Sequence, residues 1–302
     1  MIDSRHRRAR LGLVSVTALW GVTFSLNQVA LHSMGAATLT FLRFLVASLF
    51  LLLGFGLRRS FWQGVNRAEL LGGLLTGSLL FGGYLTQTEG QRFLSASLAG
   101  FLTGLSVVLV PLILLVLHRG LTRRQFGATL IAAVGLYLLA RPQGHEGLLG
   151  IALLLACALF FALQLVAVEY YRITTAAVIR FTLFQMATVT ALAALVAMAP
   201  GGGGLLPLHA SQEAWATVAI NGVGASALGF MAQTWSLRWL NSIEISVIYS
   251  LEPVFAALVA LIALHQREGL AVWIGGIIVV VAMVLVSITP PGGATYPQES
   301  ST

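Results

Sequence analysis

Long apolar runs follow one another along the whole chain, separated by short stretches rich in charged residues, glycine or proline. Most runs have about 20 residues, the length that an α-helix needs to cross the hydrocarbon core of a bilayer. The pattern predicts an all-α integral membrane protein with ten transmembrane helices. The predicted spans lie at about 11–31, 36–57, 68–88, 95–117, 123–140, 147–168, 174–198, 213–236, 241–264 and 270–289.

The chain also carries an internal repeat. The segment Gln87–Arg92 (QTEGQR) has a counterpart in Gln233–Arg238 (QTWSLR), at a shift of 146 residues, and each segment ends an apolar run. The repeat divides the spans into two halves of five, residues 11–140 and 147–289. Because five crossings leave the chain on the opposite side of the membrane, we predict that the two five-helix repeats are inverted relative to each other.

The composition agrees with a membrane protein, since 58% of the residues are hydrophobic, 9% are charged and the mean hydropathy is +0.91. All seventeen basic side chains are arginine. If the amino terminus is inside, twelve of them lie at the cytoplasmic ends of spans, and only Arg92, Arg141 and Arg267 fall in outer loops. This imbalance predicts that both termini are cytoplasmic, with residues 290–302 as a disordered cytoplasmic tail. The arginines are distributed over many loops and do not cluster into one basic patch, so we expect no nucleic-acid partner.

Several short motifs occur in a fixed order along this double repeat. Together they resemble the EamA-type transporters of the drug/metabolite transporter superfamily, over about residues 10–289. The resemblance implies a basket-like bundle in the cell inner membrane that exports amino acids, other small metabolites or drugs. The motifs are Trp20-Gly21 with Phe24, Arg43-Phe44, the two Gln-to-Arg segments, and Leu251–Leu258.

With this resemblance, we predict a secondary transporter, an exporter that works by alternating access to a cavity between the two halves. Its partners would be a small-molecule substrate and the membrane lipid. No bound cofactor is needed, and the oligomeric state stays open.

Glu252 is the acidic residue that lies deepest in a predicted span. It follows Asn241 by eleven residues, about 16 Å along a helix, which is near the middle of the hydrocarbon core. A carboxyl group there must face the bundle interior, pair with a base or be protonated. It therefore serves either as a proton-coupling or substrate-amine site, or as a structural group hydrogen-bonded to a neighbouring helix.

Pro111 and Pro253 occupy matching positions at a shift of 142 residues. Each proline removes one helical hydrogen bond, which frees the carbonyl of Val107 or of Tyr249. We expect a helix break at both, as at many transporter sites, although a kink that only serves packing is the alternative. Tyr249 and Glu252 share a helix face and form the best local candidate site.

Further candidate substrate-binding residues come from stripes of aromatic and amide side chains at helical spacing. Such linings suit small amphipathic metabolites, while the bland interpretation is packing and hydrogen bonding between helices. The stripes contribute Trp20 and Asn27 from the first span, Tyr84 and Gln87 from the third, Phe161 and Gln164 from the sixth, and Phe230 and Gln233 from the eighth.

Three alternatives stay open at this stage. Arg43 lies near one end of its span, so it either reaches the interface or pairs with Glu89 or Glu252. A passive metabolite channel is compatible with the repeat. An intramembrane lipid-modifying enzyme is less compatible, because all six histidines fall at loops or termini and no catalytic or metal-binding motif is present.

Overall fold

The computed structural model describes residues 4–94, 96–140, 147–263 and 270–287. This part of the chain is helical and contains no strand, which confirms the all-α fold. Two wider π-helical segments, Leu52–Gly56 and Asn221–Leu228, continue helices α2 and α9. The helices are α1 Ser4–Leu31, α2 Ala36–Leu51, α3 Arg67–Gly90, α4 Ala96–Gly104, α5 Ser106–Val116, α6 Arg123–Ala140, α7 Leu148–Tyr171, α8 Val178–Met198, α9 Gln212–Ile220, α10 Gly229–Ser236, α11 Ser242–Tyr249, α12 Glu252–Ala263 and α13 Leu270–Ser287.

Within the described residues, eight segments are long and apolar enough to cross a membrane. The predicted spans at 123–140 and 270–289 correspond to helices α6 and α13, which are not among these eight, so the number ten stays a prediction. The predicted tail, Arg141 and Arg267 lie outside the described residues. The eight segments are Ser4–Leu31, Ala36–Gly56, Arg67–Gly90, Leu98–Val116, Leu148–Tyr171, Thr175–Met198, Gln212–Ser236 and Ser242–Val259.

Two of these segments are interrupted near their middle. In the first half the interruption falls at Leu105, between α4 and α5, and in the second half at Ser250 and Leu251, between α11 and α12. Pro253 explains the second interruption, because it has no N–H to donate to the carbonyl of Tyr249.

The expected break at Pro111 is wrong, because α5 continues through this proline. Only the hydrogen bond to the Val107 carbonyl is lost, which a helix in a bundle tolerates. Leu105 and Leu251 are separated by 146 positions, the same shift that relates Gln87 to Gln233. The interruptions therefore recur in register, but this register pairs Pro253 with Val107 and not with Pro111.

The two halves interdigitate. Helix α3 packs against α7 and α8, α2 packs against α8, and α1 packs against α9 to α12. Glycines allow the closest approach: a Cβ at Gly73 would lie 2.5 Å from the Phe184 Cβ, and one at Gly77 would lie 2.7 Å from the Thr188 Cβ. The bundle interior is therefore mainly an interface between the halves.

We predict that Gly77→Ala destabilises the protein by about 1–3 kcal/mol, since the added methyl group would also lie 2.9 Å from the backbone oxygen of Gln185. The matched control is Gly12→Ala, because a Cβ at Gly12 meets nothing within 4 Å. Thermal unfolding in detergent compares the two variants. Equal melting temperatures would refute the assigned contact between α3 and α8.

Candidate functional site

The two interruptions border one cavity inside the bundle. It holds about 600 Å³ of space free of protein atoms, part of it open to solvent, and both halves contribute to its lining. Nine of the ten predicted substrate-binding residues line it: Trp20, Tyr84, Gln87, Phe161, Gln164, Phe230, Gln233, Tyr249 and Glu252.

The tenth residue, Asn27, is placed elsewhere, so its assignment to the cavity is corrected. Its amide nitrogen donates to the Gln91 side-chain oxygen at 3.2 Å, and its oxygen accepts from the Asn221 amide at 2.8 Å. Asn27 shares a helix face with Trp20 but lies two turns further along α1. It joins helices as a buried amide and does not border the cavity.

Aromatic rings from both halves meet at the cavity in a mirrored arrangement. The Trp20 ring lies 5.4 Å from Phe230, and the Tyr84 ring lies 5.1 Å from Phe161. Tyr84 and Phe230 are repeat counterparts at the 146-residue shift, and so are the glycines before them. Those glycines make the matching contacts as well, since a Cβ at Gly83 or Gly229 would meet Phe161 or Trp20, respectively.

Amide side chains form the second part of the lining. The Gln233 amide donates to the Gln164 oxygen at 2.9 Å, and Gln164 donates in turn to Gln185 at 3.0 Å. On the other side of the cavity, Gln87 donates to the Thr103 hydroxyl at 3.4 Å. The amides fix the lining helices to one another while leaving polar atoms near the cavity.

Arg43 is buried, and its hydrogen bonds go to hydroxyl groups. Its Nε donates to the Ser226 Oγ at 2.6 Å, and its Nη2 donates to the Tyr84 hydroxyl at 3.2 Å. The guanidinium carbon lies 4.4 Å from the centre of the Tyr84 ring, close enough for a cation–π contact. The Arg43 side chain therefore does not extend to the membrane interface, and it is not among the residues that border the cavity.

Glu252 borders the cavity at the first position of α12 and is 9% exposed. Within the described residues, its carboxylate has no hydrogen-bond or ion-pair partner, although the charge of Arg43 is near enough to act on it. The Tyr249 hydroxyl is also buried and has no hydrogen-bond partner there. The site therefore offers an acceptor and a hydroxyl that protein groups leave unused.

Sequence reasoning missed five lining residues: Thr23, Thr103, Gly104, Ser106 and Leu165. Thr23 lies three positions after Trp20, so the helix period could have identified it. Thr103, Gly104 and Ser106 flank the interruption at Leu105. They could have been identified from the position of the helix break, but the sequence predicted that break at Pro111. At the 146-residue shift, Ser106 is the counterpart of Glu252.

The described residues contain no group of three or more histidine, cysteine, aspartate or glutamate side chains that could hold a metal ion. The chemistry of the cavity therefore rests on one carboxyl group, three amides, hydroxyl groups and aromatic rings.

Comparison with known proteins identifies the group to which this molecule is related. The sequence pattern of the EamA-like transporter family matches residues 8–141 and again residues 148–288. The chain belongs to the EamA-like transporter family. An uncharacterized transporter of Archaeoglobus fulgidus is 29% identical over 282 residues, which is 93% of this chain and 86% of that protein.

A solved structure also shares the fold of this EamA-like chain. It superposes with a TM-score of 0.74 at 19% identity, over 93% of this chain and 98% of the solved one. At this identity, the likeness concerns the fold alone.

We predict that Ser226→Ala destabilises the protein by about 1.5–3 kcal/mol, because the buried Arg43 guanidinium loses its shortest hydrogen bond. The control is Ser78→Ala, since the Ser78 hydroxyl is exposed and donates to the Leu74 carbonyl of its own helix. Thermal unfolding measures both variants. An unchanged melting temperature for Ser226→Ala would mean that Arg43 does not depend on this contact.

Proposed function

We propose that this protein is a secondary transporter that moves a small solute through the cavity between its halves by alternating access. The observation that carries the proposal is the cavity itself, which both halves line, which two helix interruptions border, and which contains one carboxyl group. Membership of a transporter family supports the same class of activity.

The proposed architecture is ten transmembrane helices in two inverted five-helix repeats, residues 11–140 and 147–289. The double match to the family pattern supports this division. The recurrence of the helix interruptions at one shift and the mirrored ring contacts support it further. An inverted pair allows one half to adopt the conformation of the other, which is the basis of alternating access in many carriers.

The proposed setting is the cell inner membrane, with both termini cytoplasmic. The distribution of arginine over the connecting segments supports this orientation. The proposed direction is export, and the proposed cargo is an amino acid, a related small metabolite or a drug, in keeping with the family resemblance.

Two ion pairs tie the halves together at one end of the bundle. The Arg180 Nε lies 2.7 Å from Glu69, and the Arg10 Nε lies 2.6 Å from Glu244. Both pairs are mostly buried, with side-chain exposures of 10% and 2% for the first and 17% and 6% for the second. Glu244 is therefore held by an arginine at the start of α11.

The other end of the bundle has weaker cross-half contacts among the described residues. There the Thr38 hydroxyl donates to the Gly204 carbonyl at 2.7 Å, and the Ser33 hydroxyl accepts from the Ser211 backbone N–H at 3.3 Å. We infer that the ion-pair end is the closed end in this conformation, and that these pairs must separate when the cavity opens toward it.

The passive channel and the intramembrane enzyme remain the alternatives. Purified protein is screened for thermal stabilisation by amino acids and common metabolites, and a stabilising compound is then tested in proteoliposomes. Accumulation against a gradient supports a carrier, equilibration alone supports a channel, and conversion of the compound supports an enzyme.

We predict that Glu252→Gln abolishes pH-driven transport of the stabilising compound while the protein stays folded, because the amide cannot exchange a proton. The matched control is Glu89→Gln, since the Glu89 side chain is 33% exposed and its one ion pair with a described residue is with Arg92. Flux is measured in proteoliposomes with an imposed pH gradient. Normal coupled flux from Glu252→Gln would remove this residue from the mechanism.

We also predict that the double replacement Arg10→Gln and Glu244→Gln opens the ion-pair end more often, because no charge is left unpaired and one cross-half tie is lost. The readout is thiol labelling of Ser106→Cys in a Cys157→Ser background with an impermeant reagent added from that side. A faster labelling rate is expected relative to the intact pair. A rate that does not change would refute the role of the pair as a closure.

A further inference from the structure

The charge presented to the cavity has a single sign. Glu252 is the one charged side chain among the described residues that border it. Arg43 lies behind Tyr84 and uses its Nε and Nη2 on Ser226 and Tyr84. A solute in the cavity therefore meets an unpaired carboxylate, while the nearest cation is covered by a ring.

Around this carboxylate the lining is aromatic. The Trp20 ring lies 4.9 Å from Tyr249 and 5.4 Å from Phe230, so three rings from three helices form a connected wall next to Glu252. The negative faces of aromatic rings attract organic cations, and the attraction grows where water is excluded. The Trp20 N–H donates to the Ala225 carbonyl at 2.8 Å, which holds the indole in place.

The Tyr249 hydroxyl is a second polar group at the cavity that has no hydrogen-bond partner among the described residues. Nine buried side-chain polar atoms lack a hydrogen-bond partner in the described part of the chain, and among them the Tyr249 hydroxyl is the one whose residue borders the cavity, three positions before Glu252. Buried polar groups normally have partners, so an unsatisfied hydroxyl beside an unsatisfied carboxylate indicates a ligand with more than one hydrogen-bonding proton. A primary ammonium group supplies three N–H donors and a positive charge.

We propose that the cavity selects a primary amine with an aromatic or apolar body and without a carboxylate. The ammonium group binds Glu252 and Tyr249, and the body packs against Trp20 and Phe230. This narrows the cargo classes proposed above: a zwitterionic amino acid is disfavoured, because its carboxylate would be desolvated near Glu252 while no cationic side chain is among the described residues that border the cavity. This inference rests on the proposed function, since it names the class of solute that the transport cavity holds.

Three probes that share a phenyl ring on a two-carbon chain test the proposal. They are 2-phenylethylamine, phenylalanine, which adds a carboxylate, and 3-phenylpropanoate, which has the carboxylate without the amine. Binding to the purified protein in lipid nanodiscs is measured by calorimetry and by thermal stabilisation. We expect 2-phenylethylamine to bind at least about tenfold more tightly than phenylalanine, and 3-phenylpropanoate not to bind. Equal or tighter binding of either carboxylate-bearing probe, or no binding of the amine, overturns the proposal.

Variants then locate the contact. Glu252→Gln is expected to weaken amine binding at least about tenfold, and Tyr249→Phe a few-fold, while Glu89→Gln leaves it unchanged. The probe series on the unaltered protein needs no variant, so the proposal stays testable if a variant fails to fold. Amine affinity that survives in a folded Glu252→Gln protein overturns the assigned contact.

Transport is measured separately from binding. If 2-phenylethylamine binds through Glu252 but enters proteoliposomes no faster than protein-free vesicles, the transporter proposal fails and the amine site stands. If another solute is carried while the amine does not bind, the amine site fails and the transporter proposal stands.

Discussion

The structure depends on the demand that every polar group inside a bilayer find a partner within the bundle. Three arginines show how this demand joins the halves, two of them buried and Arg10 partly buried. Arg180 reaches Glu69, Arg10 reaches Glu244, and Arg43 reaches Ser226, each across the repeat boundary. Neither half could satisfy these groups alone. Glu252 is the contrast, since among the described residues that border the cavity it is the one charged side chain, and it has no such partner there.

Much of the cavity could be predicted because helical period and residue type suffice to find the polar face of a spanning helix. Tyr84 with Gln87, and Phe230 with Gln233, were identified in this way, and the structure brings both pairs to one cavity. Periodicity gives the face of a helix but neither its depth nor its neighbour. Asn27 therefore had the right face at the wrong depth, and the pairing of Arg180 with Glu69 could not be foreseen.

The break in the first half shows a second limit of the sequence. A proline is a visible signal, so Pro111 seemed the natural counterpart of Pro253, yet the interruption lies at Leu105. What the halves share is the position of the interruption, together with the glycine that precedes each cavity ring. The two halves resemble each other in structure because small residues allow the same close helix contacts in both. A short sequence motif does not reveal such contacts.

Ser106 occupies in the first half the position that Glu252 occupies in the second. The two halves therefore line the cavity with similar structure, but only the second half contributes a charged group among the described lining residues. An elongated solute with one positive charge would have one preferred orientation in the cavity, with its charged end toward the second half. When the halves exchange shapes, that orientation would stay the same relative to the protein, so that the same end of the solute would lead on entry from one side and on exit to the other.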